Sequence, residues 1–340
     1  MTSRSRAVVL PTPGDPYITA IWLESYKKFW AGDIDQLYVC INSGVEESVF
    51  QYTVDMFHAV GAKILTARQL LSHGPALGQL IDLCQEDFVF IAEDDFYIQR
   101  QGDLAKWFSI VETGQADAVV SLRGCCSEEI ISHTARRFGL RGRAAAQPNF
   151  WPSLCVIKKS NLVKTDGNYG AKTFKAGEPI PQINLTPTKT TGGDTFVWAS
   201  IQLRALGLSF YYEDQNRLID VIRRGQYPPP WIHVGSSSTS LGGGLLDEEM
   251  HSLGHYSQDA TFRFPPVPDR NILEHFERKY AFWYIARHHW PIPENVPASY
   301  FNGVYADAIT RAIHGCNLRQ AEVDRHCQMF LQILAPLLSE

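Results

Sequence analysis

Three carboxylates in a row, Glu93-Asp94-Asp95, close the apolar run Phe88–Ala92 and are followed at once by Phe96-Tyr97. A run so rich in β-branched and aromatic residues reads as a buried strand, which puts three like charges at the rim of a core. Such charges repel one another and resist desolvation unless something positive sits among them. A hard divalent cation shared with a phosphate suits that need, because Mg²⁺ or Mn²⁺ takes a few carboxylates together with phosphate oxygens. The plainer reading is a solvated acidic turn. Two later segments weigh against it. Gly192-Gly193-Asp194-Thr195 precedes Phe196, Ala199, Ser200, Leu203 and Leu206 at helical spacing, with Gly207 after them. Asp194 at that helix start is either an N-cap or a functional carboxylate. In Trp231-Ile232-His233-Val234 a histidine stands between apolar residues, as a satisfied core residue or as a ligand. The Gly235-Ser236-Ser237-Ser238 run behind it can offer backbone N–H groups and hydroxyls to phosphate.

The elements that would carry these residues alternate between short β runs and helical patterns. Arg6–Leu10, Leu37–Ile41, Lys63–Leu65, Phe88–Ala92, Asp117–Leu122 and Leu154–Ile157 read as strands. Pro16–Trp30, Glu46–Val60, Ala76–Cys84 and Leu104–Val111 read as helices. This order predicts a mostly parallel sheet with helices on both faces. Ligands in such sheets bind beyond the carboxyl ends of the strands, where Pro11-Thr12, Asn42-Ser43-Gly44 and Glu93-Asp94-Asp95 all fall. Residues 136–150 and 167–191 lack periodicity and read as long loops. The first holds Arg136, Arg137, Arg141 and Arg143, a local positive patch suited to phosphate or carboxylate, or else a solvated loop. Asn271–Trp290 is aromatic and basic, either a core-facing helix or a platform for sugars or bases. Leu318–Leu338 reads as a final amphipathic helix suited to docking or self-association.

Composition bounds the remaining classes. The 340 residues, 45% of them hydrophobic, can bury a large core in one domain or two. Net charge −5 leaves no global field to draw nucleic acid or anionic lipid. Seven cysteines make an odd number, and none form a C-x-x-C pair; Cys40, Cys84 and Cys155 sit in apolar patterns as small hydrophobes. No signal-peptide core and no run of about 18 apolar residues is visible. The expectation is a cytoplasmic protein without a membrane span.

In this order the signals resemble the GT-A glycosyltransferases, family-2-like enzymes that use nucleotide sugars. Pro11-Thr12 matches the end of their first strand, and Asn42 the polar residue near the base, which is usually acidic. His73-Gly74-Pro75-Ala76-Leu77-Gly78-Gln79 matches their Gly-containing helix, Glu93-Asp94-Asp95 their D-x-D motif, Gly193-Asp194 the base position and His233 a later metal ligand. The resemblance spans about residues 5 to 240. It implies an α/β, Rossmann-like GT-A domain over 1–240 and a helical C-terminal extension over 241–340, acceptor-binding or oligomerising. It further implies a metal-dependent hexosyltransferase moving sugar from a UDP- or GDP-linked donor to an acceptor hydroxyl. Asp95 and His233 would bind Mn²⁺ or Mg²⁺, while Pro11, Thr12, Asn42, Gly74, Glu93 and Asp94 would hold the donor. Asp194 would be the base of an inverting reaction, or would position hydroxyls in a retaining one. Arg141, Arg143 and Trp151 are acceptor-binding candidates, for a glycan, small molecule, protein or hydroxylated DNA base. The alternatives are a nucleotidyltransferase, for which Pro11–Asp15 lacks the usual basic residue, and a silent nucleotide- or sugar-binding module.

Overall fold

The computed structural model describes residues 5–42, 47–67, 73–122, 126–214, 216, 221, 224–234 and 320–339. Its elements are β1 (Arg6–Thr12), α1 (Pro16–Ser25, continued by a π-turn at Tyr26–Trp30), β2 (Gln36–Asn42), α2 (Glu47–His58), β3 (Lys63–Ala67) and α3 (His73–Leu83). There follow β4 (Phe88–Ile91), β5 (Phe96–Ile98), α4 (Asp103–Glu112), β6 (Ala118–Leu122), α5 (Glu128–Arg137), α6 (Gly142–Ala146), β7 (Phe150–Lys158) and α7 (Lys159–Leu162). Then come β8 (Lys172–Phe174), β9 (Thr191–Gly193), α8 (Val197–Ala205), β10 (Phe210–Glu213), β11 (Trp231–His233), α9 (Gln320–Ile333) and α10 (Ala335–Leu338).

Seven strands form the main sheet in the order β10-β6-β7-β4-β1-β2-β3. All neighbours pair parallel except β7, which runs antiparallel to both β4 and β6. The architecture is the mostly parallel α/β sheet flanked by helices that the GT-A resemblance implies. Its central strands are apolar on both faces because both faces are covered. Val8 and Leu10 of β1 and Phe88 and Phe90 of β4 face one core, with Trp22, Trp30, Phe57, Phe96, Trp107 and Trp231. Ala7, Val9, Val89 and Ile91 face the other, with Leu77, Leu80, Cys155 and Phe196. Pro11 is tolerated in β1 because it lies past Val9, the last residue of β1 paired with β4. Burial pushes the thiols of Cys40 and Cys84 up to about 11 and about 12, which fits their packing as small hydrophobes.

Two expectations from periodicity are corrected. Residues 136–150 are not a loop: α5 reaches Arg137, and α6 follows. Ser127 Oγ accepts from Ile130 N at the α5 start, Glu128 and Glu129 occupy its first turn, and Arg136 and Arg137 its last. That charge order complements the helix dipole, which accounts for two of the four arginines. Its short buried face, Ile130 and Thr134, gave the sequence pattern too little to show. Nor is 167–191 structureless, since β8 pairs antiparallel with β9 there and a 3₁₀ turn spans Pro181–Ile183.

The C-terminal helix docks on its own chain. Phe330, Ile333, Leu334 and Leu337 are buried in the core that holds Trp22 and Tyr26, and Lys28 Nζ donates to the Leu337 carbonyl at 2.9 Å. The Asn271–Trp290 segment and the boundary expected near residue 240 lie outside the described residues. Among the described residues, no helix is long and apolar enough to cross a membrane.

A line of rings runs from α1 to β11. Trp22 meets Trp30 edge-on at 4.9 Å, Trp30 meets Phe90 at 6.0 Å, Phe90 meets Phe96 at 5.7 Å and Phe96 meets Trp231 at 5.1 Å. Phe90 is the only ring of β4 in that line and is fully buried. Phe90→Ala should therefore lower stability by about 3–5 kcal/mol, measured as the urea midpoint at unchanged m-value. A loss below about 1 kcal/mol would show that the ring line is not structural.

Candidate active site at the carboxyl ends of the central strands

Immediately beyond β4 the chain makes a tight turn, closed by Phe96 N donating to the Glu93 carbonyl at 3.1 Å. Three consecutive carboxylates therefore diverge. Asp94 turns toward β1, where its Oδ2 accepts from Thr12 Oγ1 at 2.8 Å, and Thr12 Oγ1 in turn accepts from Gly14 N at 3.0 Å. Glu93 and Asp95 turn toward β11. That strand pairs antiparallel with β5, setting His233 opposite Phe96, and Val234 N donates to the Asp95 carbonyl at 3.0 Å. His233 Nε2 lies 2.9 Å from Glu93 Oε2 and 3.2 Å from Asp95 Oδ1. One ligand atom from each of the three residues falls within 4.8 Å of the others.

Two carboxylates and an imidazole at this spacing match the donor set of Mn²⁺, and the carboxylates suit Mg²⁺. The electrostatics match as well. Burial alone would pull the His233 imidazole down, but Asp95 and then Glu93 outweigh it and hold its pKa at about 9. In the metal-free chain the imidazolium thus supplies the positive charge that the buried carboxylates require. Asp94 is pushed well above the ordinary carboxylate range by burial, and further by Asp95, against the pull of the Thr12 hydroxyl.

Two groups at this rim were missed from sequence. His73 opens α3, and its imidazole is pushed below its ordinary range by burial, although Glu93 and Asp95 draw it the other way. It stood in the quoted Gly-helix segment, but a lone histidine beside a glycine carries no spacing signal. Asp15 is fully buried and caps α1 by accepting from Ile18 N at 3.0 Å, and its charge reaches Asp94. A cap signature at Asp15 was readable, its proximity to Asp94 was not.

Asp194 lies in the turn ahead of α8, three residues before its first residue. Helix α8 starts at Val197 after Phe196; Asp194 Oδ1 accepts from Thr195 N at 2.8 Å, and the Asp194 carbonyl accepts from Val197 N at 3.1 Å. Phe196 is buried at φ 68°, a left-handed conformation that costs a side chain of this size about 1–3 kcal/mol. It is held by stacking on Tyr169 at 5.8 Å and by donating its N–H to the Tyr169 carbonyl at 2.9 Å. Gly193 precedes Asp194 and bridges to Cys126, beyond the carboxyl end of β6. A Cβ at Gly193 would come within 2.8 Å of Phe174.

The Asp194 turn is tied to the rim of α3 through the same loop. Gly170 backbone atoms would lie 2.2 Å from a Cβ at Gly74, so only glycine lets the 169–170 segment press against α3 next to His73. Gly74 is therefore placed by packing. Asn42 is buried at the end of β2, and Ser43 and Gly44 lie outside the described residues, as do Gly235–Ser238. Arg141 is exposed at the start of α6, and Arg143 is exposed and paired with Asp214 at 2.8 Å. Trp151 stands in β7.

No protein-family model and no curated protein matches this chain. Among solved structures, the chain is similar to Staphylococcus aureus TarS residues 1–349, with 11% identity and a TM-score of 0.43 over 96% of this chain and 91% of that one. It is also similar to Mycobacterium tuberculosis glucosyl-3-phosphoglycerate synthase bound to phosphoglyceric acid, at 16% identity and TM-score 0.38, covering 65% of this chain and 75% of that one. The same enzyme with Mn²⁺ and uridine-diphosphate-glucose gives 17% identity and TM-score 0.35 over 48% and 59% of the two chains. At such identities and TM-scores these likenesses assign no role to any residue.

The raised His233 pKa has a defined consequence for stability. The native state binds this proton more tightly than the unfolded chain, whose reference value is 6.5. The resulting stabilisation is fully present below about pH 6.5 and is lost as pH rises through about 9. Asp94, also raised, acts in the same direction. In the presence of a chelator, Tm should fall from pH 6.5 to 9, and His233→Gln should flatten that fall; a Tm that climbs across the window would contradict a protonated His233.

Proposed function

We propose that this chain is a metal-dependent glycosyltransferase that moves a sugar from a nucleoside-diphosphate donor to an acceptor hydroxyl, with inversion. The observation that carries the reading is the convergence of Glu93, Asp95 and His233 within 4.8 Å at the carboxyl end of β4, beside the buried Thr12–Asp94 contact at the end of β1. Open α/β sheets bind nucleotides at this edge. Glu93, Asp95 and His233 would hold Mn²⁺ or Mg²⁺. When bound, that cation would neutralise the charge that develops on the leaving diphosphate. Binding would release the His233 proton, so the ring would pass from donor to lone-pair ligand. His73, kept uncharged by burial, adds a neutral polar group at the same rim. Asp94 and Thr12 shape the donor side, and Asn42 closes the end of β2 where the base would lie.

Asp194 would accept the proton of the acceptor hydroxyl as it attacks the anomeric carbon. The strained Phe196 and its contacts to Tyr169 support this role, since a backbone held in an unfavourable conformation next to a carboxylate fixes where that carboxylate points. UDP- and GDP-linked sugars are the donors to test first. Acceptor contacts are proposed for Arg141, Arg143 and Trp151; Arg143 would first have to leave Asp214.

Asp95→Ala should abolish Mn²⁺-dependent UDP binding in calorimetry. In the metal-free state it should also lower Tm, because Asp95 faces an imidazolium as well as like charge. Undiminished transfer in Asp95→Ala, or full transfer in EDTA, would refute the metal reading. Asp194→Asn should keep donor affinity near that of the parent while turnover falls on the order of a hundredfold or more. Unchanged turnover in that variant would remove Asp194 from the chemistry.

A further inference from the structure

Gln99 follows β5 directly and is buried. Its Nε2 donates to two carbonyls distant in sequence, Pro229 at 3.2 Å and Ile333 at 2.9 Å, while its backbone N–H donates to the Pro230 carbonyl at 2.8 Å. Pro229 and Pro230 lead straight into β11, which ends at His233. Ile333 is the last residue of α9, the helix whose Phe330, Ile333 and Leu334 are buried in the main core. A single carboxamide thus joins the strand after Asp95, the approach to His233 and the C-terminal helix. Its chemistry is particular. An –NH₂ group has two hydrogens for two acceptors. A carboxylate at this position would set its lone pairs against two carbonyl oxygens, and a thioether would leave both buried acceptors unbonded.

We infer that Gln99 is a positioning residue for the acidic cluster: it couples docking of the C-terminal helix to the placement of His233 between Glu93 and Asp95. The support is mechanical. β5 and β11 pair over only three residues each, a short ladder with little register stiffness of its own. The Val234–Asp95 bond lies at the cluster end of that ladder, and the Gln99 bonds lie at the other. Groups that orient ligands from one shell further out commonly matter tenfold or more to metal affinity. The C-terminal helix is on this account part of the site's scaffold. The inference rests on the reading of Glu93, Asp95 and His233 as a divalent-cation site.

The test is Mn²⁺ titration in the presence of UDP, read by the Mn²⁺ EPR signal, on the full chain. It compares the parent with Gln99→Met, Leu334→Ala, His233→Ala and, as a control for stability alone, Val54→Ala in α2. Gln99→Met should weaken Mn²⁺ binding about tenfold, and Leu334→Ala, which loosens the helix without touching the carboxamide, should weaken it several-fold. Val54→Ala should lose Tm yet bind Mn²⁺ as the parent does. If folded Gln99→Met loses only Tm and keeps parental Mn²⁺ affinity, Gln99 is a structural residue and the inference falls. Should Gln99→Met not fold, parental affinity in Leu334→Ala overturns it equally. A parent that binds no Mn²⁺ with UDP, or a His233→Ala variant that binds it undiminished, overturns the cation site and the inference with it.

Discussion

Crowded carboxylates in a protein interior stay charged only where a cation or hydrogen-bond donors meet them, and the geometry at the end of β4 follows from how that demand is met. Glu93 and Asp95 stand at the end of a fully buried strand, and His233 is brought between them from more than a hundred residues away. In the metal-free state the imidazole carries the compensating charge. Its proton is therefore shared with two carboxylates within hydrogen-bonding distance. Asp94 escapes the crowding by turning to Thr12 and by a pKa raised well above the carboxylate range. The triplet divides into two carboxylates that meet His233 and one inward-facing hydrogen-bonded acid.

Holding that arrangement requires stiffness at a place where the chain is locally weak. The turn from Glu93 to Phe96 and the short β5–β11 ladder would be pliable alone. They are stiffened from one side by the aromatic line through Phe90, Phe96 and Trp231, and from the other by backbone bonds at Asp95 and Gln99. The α3 side is stiffened differently. The Gly74–Gly170 approach and the Tyr169–Phe196 stack join α3 to the turn that carries Asp194, and the unfavourable backbone of Phe196 is accepted in return. Strain and close glycine packing gather beside Asp194.

The arginines around residue 140 illustrate how one composition serves two purposes. Arg136 and Arg137 close a helix whose first turn is acidic, so their positions follow from the dipole of α5. Arg204 is buried, donating to the Pro148 carbonyl at 2.8 Å with its guanidinium over Phe210 at 4.9 Å; it is a packing residue of the sheet edge. Arg141 and Arg143 remain at the surface, Arg143 paired with Asp214.

Local information was enough for much of this protein. Apolar runs marked six of the seven strands of the central sheet, β10 being missed, helical spacing marked α1 to α4, and the carboxylates Glu93, Asp94 and Asp95 stood out because charge directly after a buried strand is costly. The strand edge that would carry the ligand followed from the alternation of elements alone. Features set by contacts between distant segments did not show in the residues. Strand β7 runs antiparallel because of where the chain returns, which periodicity does not encode. Helix α5 was hidden because its buried face is short and its ends rest on the Ser127 cap and complementary charges, and α6 because it buries none of its residues. His73 and Asp15 joined the acidic rim only when α1 and α3 packed against the sheet. The division of labour among Glu93, Asp94 and Asp95, and the burial of α9 against Gln99, depend on three-dimensional pairing. Sequence determined which residues carry charge and which segments are apolar, because those are properties of residues and their neighbours in the chain. Tertiary structure decided which charges meet, because the energy of a buried ion depends on what distant segment is brought within hydrogen-bonding distance of it.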